Sequence, residues 1–397
     1  MNIKETIKKF IPPFLLSIYH YKLALLGAFV FGFPGKDKKM KIIGVTGTSG
    51  KSTTVDFITR ILEEAGNKVA SISTIRFKVA EKEWENKHKM TMPGRFAIQK
   101  FLKQAKDAGC KFVVLEVTSE GIRQFRHKFI NFDTAVFTNL SLEHIESHKG
   151  FENYRNEKLK LFRATKNIHV INTDDENSKY FWEIPAKQKI GFSIKDARET
   201  KFNLNLIGDF NILNALAAIS VAKAYGIDFD ICKRALEKAK GISGRMEVVS
   251  ENPVKVVVDY AHTPEQLEAV YKTFKDKKLI CVLGSCGGGR DKWKRPVLGK
   301  IAGEFCKEII ITNEDPYDEP PMEIIKEVAS GIQNPTPNTQ HLILDRKEAI
   351  KTAIKLARPD DVVIITGKGS EPWMCVANGK KMPWDDRKIA AEALQSR

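Results

Sequence analysis

The sequence has few cysteines, and they do not form a pattern typical of a metal site or a disulfide framework. Only six occur among 397 residues, at positions 110, 232, 281, 286, 306 and 375. Structural zinc sites usually contain closely spaced C-x-x-C pairs, and small secreted domains contain many bridges. Because neither pattern is present, we expect reduced cysteines and a cytoplasmic protein.

The sequence also lacks an uninterrupted hydrophobic run long enough to cross a membrane. Residues 10–34 are strongly apolar, but His20 and Lys22 interrupt them and leave only 23–33 uncharged. That is about half of a membrane span, and no small-residue signal cleavage site follows. Lysines flank the segment at positions 8, 9, 36, 38 and 39. Two interpretations stay open, namely a helix packed on the following domain or a peripheral contact with the inner membrane surface.

No nucleic-acid-binding module is recognisable, although the chain is strongly basic. It has 65 Lys+Arg against 49 Asp+Glu, a net charge of +16, and the lysines are spread along the chain. Such a charge suits small anionic substrates or acidic lipid as well as nucleic acid. We therefore expect small-molecule substrates and no nucleic acid.

Strand and helix patterns alternate along the first half of the chain. We predict strands at 41–46, 68–74, 111–117, 134–138 and 168–172, with helices at 52–65 and 95–108 between them. Continuous apolar strands that alternate with helices indicate a parallel sheet covered on both faces.

The same pattern restarts after GISGR at 241–245. Its predicted strands are 254–259, 279–284, 308–312 and 361–366. We therefore predict an α/β fold in which a P-loop central domain with a mostly parallel sheet precedes a smaller Rossmann-like α/β domain. The expected division is an apolar helical segment at 1–40, the central domain at 41–240 and the last domain at 241–397.

The stretch KIIGVTGTSGKSTT, residues 41–54, predicts a strand, a glycine-rich turn and a helix. The usual G-x-x-x-x-G-K-[ST] phosphate loop lacks its first glycine here, because Val45 stands in that place. The glycines that remain would let backbone N–H groups surround phosphate oxygens at the start of the helix. Lys51 would reach the terminal phosphates, and the Ser52 hydroxyl would ligate Mg²⁺. A chance glycine turn is the alternative.

Other candidate residues have an ordinary structural interpretation as well. Glu116 ends an apolar strand, where a carboxylate would suit Mg²⁺, yet an acid at a strand end can simply face water. Asn211 and Asn214 share one helix face, and helix capping is their alternative role. Lys158 has Lys160 beside it and would be taken for part of a solvated helix face.

The shortened G-x-x-G-K-[ST] loop resembles the ATP loop of the Mur ligase superfamily. Further stretches follow in that family's order: LEVTSEGI (115–122), FTNLSLEHIESH (137–148), YRNEKLKLF (154–162), GDFNILNALAA (208–218), GRMEVV (244–249), VVDYAHTP (257–264), GGGRDKWKRP (287–296) and TGKGSEPW (366–373). Within the superfamily they are most similar to the UDP-N-acetylmuramoyl-tripeptide synthetases, the MurE type.

This resemblance implies an ATP-dependent acid–amino-acid ligase of peptidoglycan precursor synthesis, which acts through an acyl phosphate. It implies Mg²⁺, with two sites expected, and the catalytic residues Lys51, Glu116, His144 and Lys158. The implied metal ligands are Ser52, Glu116, His144 and a carbamylated Lys158. The implied ATP contacts are Gly47, Thr48, Ser49, Gly50, Lys51, Ser52, Thr53, Asn214, Arg245, Asp259 and His262. The implied substrate contacts are Thr91, Arg290, Glu314, Asp315, Tyr317 and Glu371.

The chain departs from the family pattern in two regions, the one that binds the UDP end of the acceptor and the one that binds the incoming amino acid. Only about 40 residues precede the loop, where family members usually have a UDP-binding domain of roughly a hundred residues. The family's D-N-P-R stretch appears as Glu314-Asp315-Pro316-Tyr317, so a phenol replaces the arginine that clamps a second carboxylate. This predicts lysine or ornithine rather than diaminopimelate as the added amino acid, unless the acidic stretch is only a solvated surface loop. Alternative functions are a folylpolyglutamate or cyanophycin type of ligase, or a non-catalytic ATP-binding partner subunit at the membrane.

Overall fold

A computed structural model describes residues 12–86, 90–198, 204, 206–333 and 339–397. Within these residues the chain forms two compact units. Of the described residues, the first unit comprises those up to 141, those from 150 to 204 and 209–240, and the second comprises 142–149, 206–208 and those from 241 onward. The start of the predicted apolar segment, residues 10 and 11, lies outside the described residues.

In chain order, the helices are α1 (Pro13–Val30), α2 (Lys51–Glu64), α3 (Arg95–Asp107), α4 (Ser119–Arg123), α5 (Ile145–His148), α6 (Phe151–Ala164), α7 (Ser178–Trp182), α8 (Asp209–Ala224), α9 (Phe229–Glu237), α10 (Pro264–Lys272), α11 (Lys294–Phe305), α12 (Pro321–Ala329), α13 (Arg346–Leu356) and α14 (Asp386–Gln395). Helix α5 and helices α10 to α14 belong to the second unit.

The first unit is built on a sheet that has eight strands in the described part of the chain. They are β1 (Lys41–Thr46), β2 (Val69–Ile72), β3 (Arg76–Val79), β4 (Lys82–Glu85), β5 (Phe112–Glu116), β6 (Phe132–Phe137), β7 (Ile168–Asn172) and β8 (Gln188–Phe192), in the order β4-β3-β2-β5-β1-β6-β7-β8. All neighbours are parallel except β3 with β2 and with β4. Val45 pairs with Glu116, so the ends of β1 and β5 lie together at the carboxyl edge of the sheet.

The second unit has a sheet of six described strands. They are β9 (Glu247–Ser250), β10 (Lys255–Val258), β11 (Lys278–Leu283), β12 (Cys306–Thr312), β13 (Thr339–Ile343) and β14 (Asp361–Ile365), in the order β13-β12-β11-β14-β10-β9. Only β9 is antiparallel to its neighbour. A separate two-stranded ribbon consists of β15 (Trp373–Cys375) and β16 (Lys381–Pro383).

The predicted α/β class is confirmed, and each predicted strand and helix recurs with bounds that differ by at most about two residues. The missed strands are short or lie at sheet edges, namely β3, β4, β8, β9, β13, β15 and β16. Edge strands such as β4, all of whose residues are exposed, lack the continuous apolar pattern that identified the central strands.

Helix α1 packs on α3 through small residues. Ala24 and Ala28 are buried, and a Cβ added to Gly27 would lie 3.2 Å from the Arg95 carbonyl oxygen. Tyr21 contacts Phe125 edge-on at 5.9 Å between ring centroids. The interpretation of this segment as a packed helix is therefore correct for one face of α1. No helix in the described ranges is both long and apolar enough to cross a membrane.

The cysteine prediction was wrong for one pair, because Cys281 and Cys306 form a disulfide. They are 25 residues apart in sequence, but they lie on the neighbouring parallel strands β11 and β12, where Cys306 is opposite Leu279 and its Cα is 6.1 Å from that of Cys281. Spacing along the chain could not reveal this pairing, because sheet register decides it. Cys110, Cys232, Cys286 and Cys375 are not part of a disulfide.

Candidate functional site

Two glycines shape the predicted phosphate loop between β1 and α2. Gly50 has a φ of +78°, and a Cβ there would lie 2.2 Å from Asn214 Oδ1. A Cβ on Gly47 would lie 1.9 Å from Thr138 Oγ1. Both positions therefore require glycine, since any side chain would displace a packed neighbour.

The loop is held by Asn139, which follows β6. The Thr48 N–H donates to the Asn139 carbonyl oxygen (2.9 Å), and the Ser49 N–H donates to Asn139 Oδ1 (2.8 Å). Lys51 Nζ donates to the Thr48 carbonyl oxygen at 2.7 Å and so lies folded over the loop. Helix α2 begins at Lys51, so its positive end faces the loop, which suits an anionic ligand.

Glu116 connects the phosphate loop to a second polar segment. It is 2% exposed, so the interpretation of an acid facing water is wrong. Its Oε2 accepts hydrogen bonds from Ser52 Oγ (2.7 Å) and from the Thr74 N–H (2.8 Å). Thr74 Oγ1 lies 2.8 Å from Thr91 Oγ1, so the predicted substrate contact Thr91 belongs to the same network.

Lys158 on α6 is buried, contrary to its appearance as part of a solvated helix face. It is 1% exposed, and its Nζ donates to the Gly47 carbonyl oxygen at 2.7 Å. The ammonium group lies 4.5 Å from the ring centroid of Tyr154, whose hydroxyl is 3.1 Å from Thr48 Oγ1. The fold therefore brings Lys158 to the phosphate loop.

Asn214 on α8 also reaches the loop. Its Oδ1 accepts from Thr54 Oγ1 at 3.3 Å, and its Nδ2 donates to Asn211 Oδ1 at 3.4 Å. Since α8 begins at Asp209, both asparagines lie inside the helix, and the capping interpretation is wrong.

The second unit contains the predicted metal ligand His144 in a cluster of charged groups. His144 Nε2 lies 3.7 Å from Glu143 Oε1, and His262 Nε2 lies 2.8 Å from the same oxygen. Burial alone would raise the pKa of Glu143, but His144, His262 and Lys294 hold it well below its usual value. Glu143 is thus a buried anion that is hydrogen-bonded to His262 and lies beside His144.

Arg245 and Asp259 are held in the same unit. The Arg245 guanidinium lies 4.2 Å from the ring centroid of Tyr260. Asp259 accepts from the Met246 N–H (2.8 Å) and the Ala261 N–H (2.7 Å). Burial raises the pKa of Asp259, and these bonds together with Arg245 oppose that rise only in part.

The segment after β12, which is predicted to contact the incoming amino acid, is largely buried. Glu314 and Asp315 are 2% and 4% exposed, so the solvated-loop interpretation is wrong for both residues. Asp315 Oδ1 accepts from Lys368 Nζ at 2.9 Å and from the Cys375 N–H at 2.6 Å. Lys368 Nζ also donates to Glu371 Oε2 at 2.5 Å. Burial alone would lower the pKa of Lys368, but Glu371 and Asp315 raise it above its usual value.

One oxygen of Glu314 has no hydrogen-bond donor among the described residues. Its Oε1 accepts from the Cys286 thiol at 3.0 Å, whereas Oε2 is buried without a hydrogen-bond partner in the part of the chain that the structure describes. A buried carboxylate oxygen without a donor is costly, so a cationic or amine ligand would stabilise it. Tyr317 covers Gly288, where a Cβ would lie 2.5 Å from the phenol ring, and Arg290 is exposed.

The first unit thus brings the phosphate loop together with Glu116, Lys158, Asn214 and Thr91. The other predicted residues lie in the second unit, namely His144, Arg245, Asp259, His262, Arg290, Glu314, Asp315, Tyr317 and Glu371. Over the described ranges, no three His, Cys, Asp or Glu side chains converge as a metal site. Ser52 Oγ and Glu116 Oε2 are nevertheless two adjacent oxygen donors, the ligand type that Mg²⁺ prefers.

Sequence reasoning missed several residues that hold the site, namely Thr74, Glu143, Tyr154, Cys286 and Lys368. Lys368 lies inside the quoted stretch TGKGSEPW, so its position gave a signal. Glu143 and Tyr154 also lie inside quoted stretches, FTNLSLEHIESH and YRNEKLKLF. Thr74 and Cys286 are ordinary residue types whose role depends on contacts with distant parts of the chain.

Comparison with known proteins identifies the family to which this chain belongs. Residues 45–201 match the Mur ligase middle domain, and residues 244–369 match the Mur ligase, glutamate ligase domain. The UDP-N-acetylmuramoyl-L-alanyl-D-glutamate--2,6-diaminopimelate ligase of Syntrophomonas wolfei is 38% identical over 94% of this chain and 82% of its own length. The UDP-N-acetylmuramyl-tripeptide synthetase of Roseiflexus sp. is 36% identical over 94% of this chain and 81% of its own.

Solved structures agree with this assignment. A UDP-N-acetylmuramoyl-L-alanyl-D-glutamate--2,6-diaminopimelate ligase has a TM-score of 0.60 at 29% identity and covers 90% of this chain and 79% of its own. FolC of E. coli has a TM-score of 0.69 at 18% identity, with 94% and 93% covered, which is a likeness of fold alone. By its sequence and its fold, this chain belongs to the Mur ligase family.

Proposed function

We propose that this ATP-dependent ligase joins a carboxylate of a UDP-N-acetylmuramoyl-peptide acceptor to the amine of an amino acid. A carboxylate oxygen of the acceptor attacks the γ-phosphorus of ATP, ADP leaves, and an acyl phosphate forms. The amine then attacks the acyl carbon, phosphate leaves, and the amine loses a proton. The observation that carries this proposal is buried Glu116, which is bonded to Ser52 of the phosphate loop and, through Thr74, to Thr91.

The site residues have distinct roles in this proposal. Lys51 and the loop N–H groups hold the phosphates, and Asn214, Arg245, Asp259 and His262 contact the rest of ATP. Ser52, Glu116, His144 and a carbamylated Lys158 would hold Mg²⁺ at two sites. The metal would neutralise charge on the transferring phosphoryl group. The proposed domain boundaries follow residues 40 and 240.

The amino-acid site is proposed to accept a mono-carboxylate diamine, lysine or ornithine. Glu314 Oε2 is a buried carboxylate oxygen that would pair with a cationic side chain. Glu371 would hold an amine, and exposed Arg290 would hold the α-carboxylate. Tyr317 offers one neutral donor where a diaminopimelate clamp needs a guanidinium fork.

ADP release with Mg²⁺–ATP tests the function. We expect it to require both UDP-MurNAc-L-Ala-D-Glu and an amino acid, and to be faster with lysine or ornithine than with diaminopimelate. A tenfold preference in kcat/KM for diaminopimelate, about 1.4 kcal/mol, would contradict the proposed amino-acid site. Turnover only with a folyl-glutamate acceptor would indicate the folylpolyglutamate type. ATP binding without turnover on either acceptor would indicate a non-catalytic partner subunit.

We also propose a cytoplasmic location with peripheral contact between residues 10–34 and the inner membrane surface. Half of α1 is exposed, and its exposed side chains are apolar except for Lys22. The apolar ones are Phe14, Leu15, Ile18, Tyr19, Tyr21, Leu25, Leu26, Phe29 and Val30. α1 contains no acidic residue, so an anionic lipid surface is the complementary partner.

A further inference from the structure

A buried ion pair joins two helices of the second unit behind the proposed amino-acid site. Arg346 begins α13 and is 1% exposed, and Asp386 begins α14 and is fully buried. Arg346 Nε donates to Asp386 Oδ1 at 2.9 Å, and Nη2 donates to Oδ2 at 2.7 Å. Burying both charges costs hydration free energy that largely offsets their attraction, so stability alone is a poor explanation for this pair.

The remaining donors of Arg346 bind two backbone carbonyls of the sheet's carboxyl edge. Nη2 donates to the Thr366 oxygen at 2.7 Å, and Nη1 donates to the Asn313 oxygen at 3.3 Å. Asn313 follows β12 and Thr366 follows β14, and these strands lie on opposite sides of β11. One guanidinium therefore fixes the spacing of two loops that are not neighbours in the sheet.

These two loops carry the proposed amino-acid ligands. Glu314 directly follows Asn313, and Gly367 and Lys368 directly follow Thr366. Glu314 Oε2 would lie only 2.0 Å from a Cβ on Gly367, so the carboxylate rests against the other loop's backbone. Any change in the spacing of the loops would therefore move the carboxylate oxygen that has no donor.

We infer that Arg346, oriented by Asp386, is a positioning residue that sets the distance between Glu314 and the Lys368 loop for the cationic side chain of the incoming amino acid. Helix α14 thereby shapes the amino-acid site without supplying a ligand. This inference rests on the proposed function, because it assigns the cationic side chain of the amino acid to Glu314. A lysine at position 346 could not span both carbonyls, since its single ammonium lacks the planar fork of arginine.

Kinetics of Arg346→Lys and of the double variant Arg346→Met with Asp386→Leu test the inference. The double variant removes both buried charges, so it is expected to fold. In both proteins we expect KM for the amino acid to rise at least about tenfold, because a small misplacement of a binding group is costly. KM for ATP should change little. An unchanged KM for the amino acid in the folded double variant, or an equal rise for ATP, would overturn the inference.

The rate at which Cys286 is alkylated reports the spacing of the Glu314 and Lys368 loops independently of catalysis. Its thiol donates to Glu314, so separating the loops should expose it, and iodoacetamide should label it at least about fivefold faster in Arg346→Lys. Buried Cys110 and Cys232 are internal controls, read by peptide mass spectrometry. Faster labelling of all three cysteines would mean general unfolding and would overturn the positioning role. If wild type releases no ADP while Cys286 behaves as expected, the proposed function fails and the spacing role stands.

Discussion

Glu116 accepts hydrogen bonds from two segments that are far apart in the sequence. Ser52 comes from the phosphate loop, and Thr74 follows β2. A buried carboxylate in such a position keeps its geometry without reorganising when charge develops on a nearby phosphoryl group. The residue therefore couples the ATP loop to the segment that contains Thr91.

Substitution of Lys51 by alanine or of Glu116 by glutamine should reduce ADP release by at least about 10²-fold, because preorganised charge is removed from phosphoryl transfer. Steady-state kinetics measure the effect, and circular dichroism checks the fold. Matched controls are Lys160→Ala and Glu152→Gln, since Glu152 has a side chain that is 84% exposed. Near-normal turnover in a folded Lys51 or Glu116 variant would refute the site assignment.

At the scale of the element, helix α1 combines two surfaces. Its small residues Ala24, Gly27 and Ala28 pack on α3, while its large apolar residues face outward. Lys22 is exposed as well, on the same side as these apolar residues. The packed-helix interpretation therefore holds for one face of α1, and membrane contact of the other face stays a prediction.

The intact protein should float with vesicles of anionic lipid at low salt and much less with neutral lipid, because the flanking lysines add attraction. The variant Leu25→Glu with Phe29→Glu should lose binding and keep ADP release. Leu342→Glu with Leu344→Glu is the matched control, since these leucines are 45% and 46% exposed in the second unit. If the wild-type protein stays in solution with anionic vesicles at low salt, the membrane prediction is wrong, and a protein partner would be expected on the outward face of α1.

At the scale of the whole molecule, a buried histidine makes stability depend on pH. Burial lowers the pKa of His127 to about 3, and Lys128 and Lys160 act in the same direction. In the unfolded chain its pKa is about 6.5. Between these pH values only the unfolded chain binds the proton. The contribution of neutral His127 to the free energy of unfolding is therefore fully present above about pH 6.5, and it is lost as the pH is lowered toward 3.

Between pH 7 and pH 5, urea unfolding should therefore show a loss of stability that is about 2 kcal/mol larger in wild type than in His127→Phe. The phenyl ring keeps the volume of the side chain and cannot titrate. Buried His169, whose pKa is also lowered, contributes in both proteins and cancels in the comparison. Equal pH dependence in the two proteins would contradict the assignment to His127.

The sequence by itself determined the α/β class, the central strands and the phosphate loop. Buried parallel strands must be continuously apolar, and a loop around phosphate needs glycine, so both leave a local pattern. The order of the quoted motifs also indicated the family, which the comparisons confirm.

Only the tertiary structure decided the features that depend on partners far along the chain. Lys158 is buried because α6 packs it against the carbonyl of Gly47, and the Cys281–Cys306 disulfide follows from strand register. Arg346 reaches two loops because β12 and β14 flank β11. Local sequence has no signal for these contacts, since burial and pairing are set by which distant segments the sheet brings together.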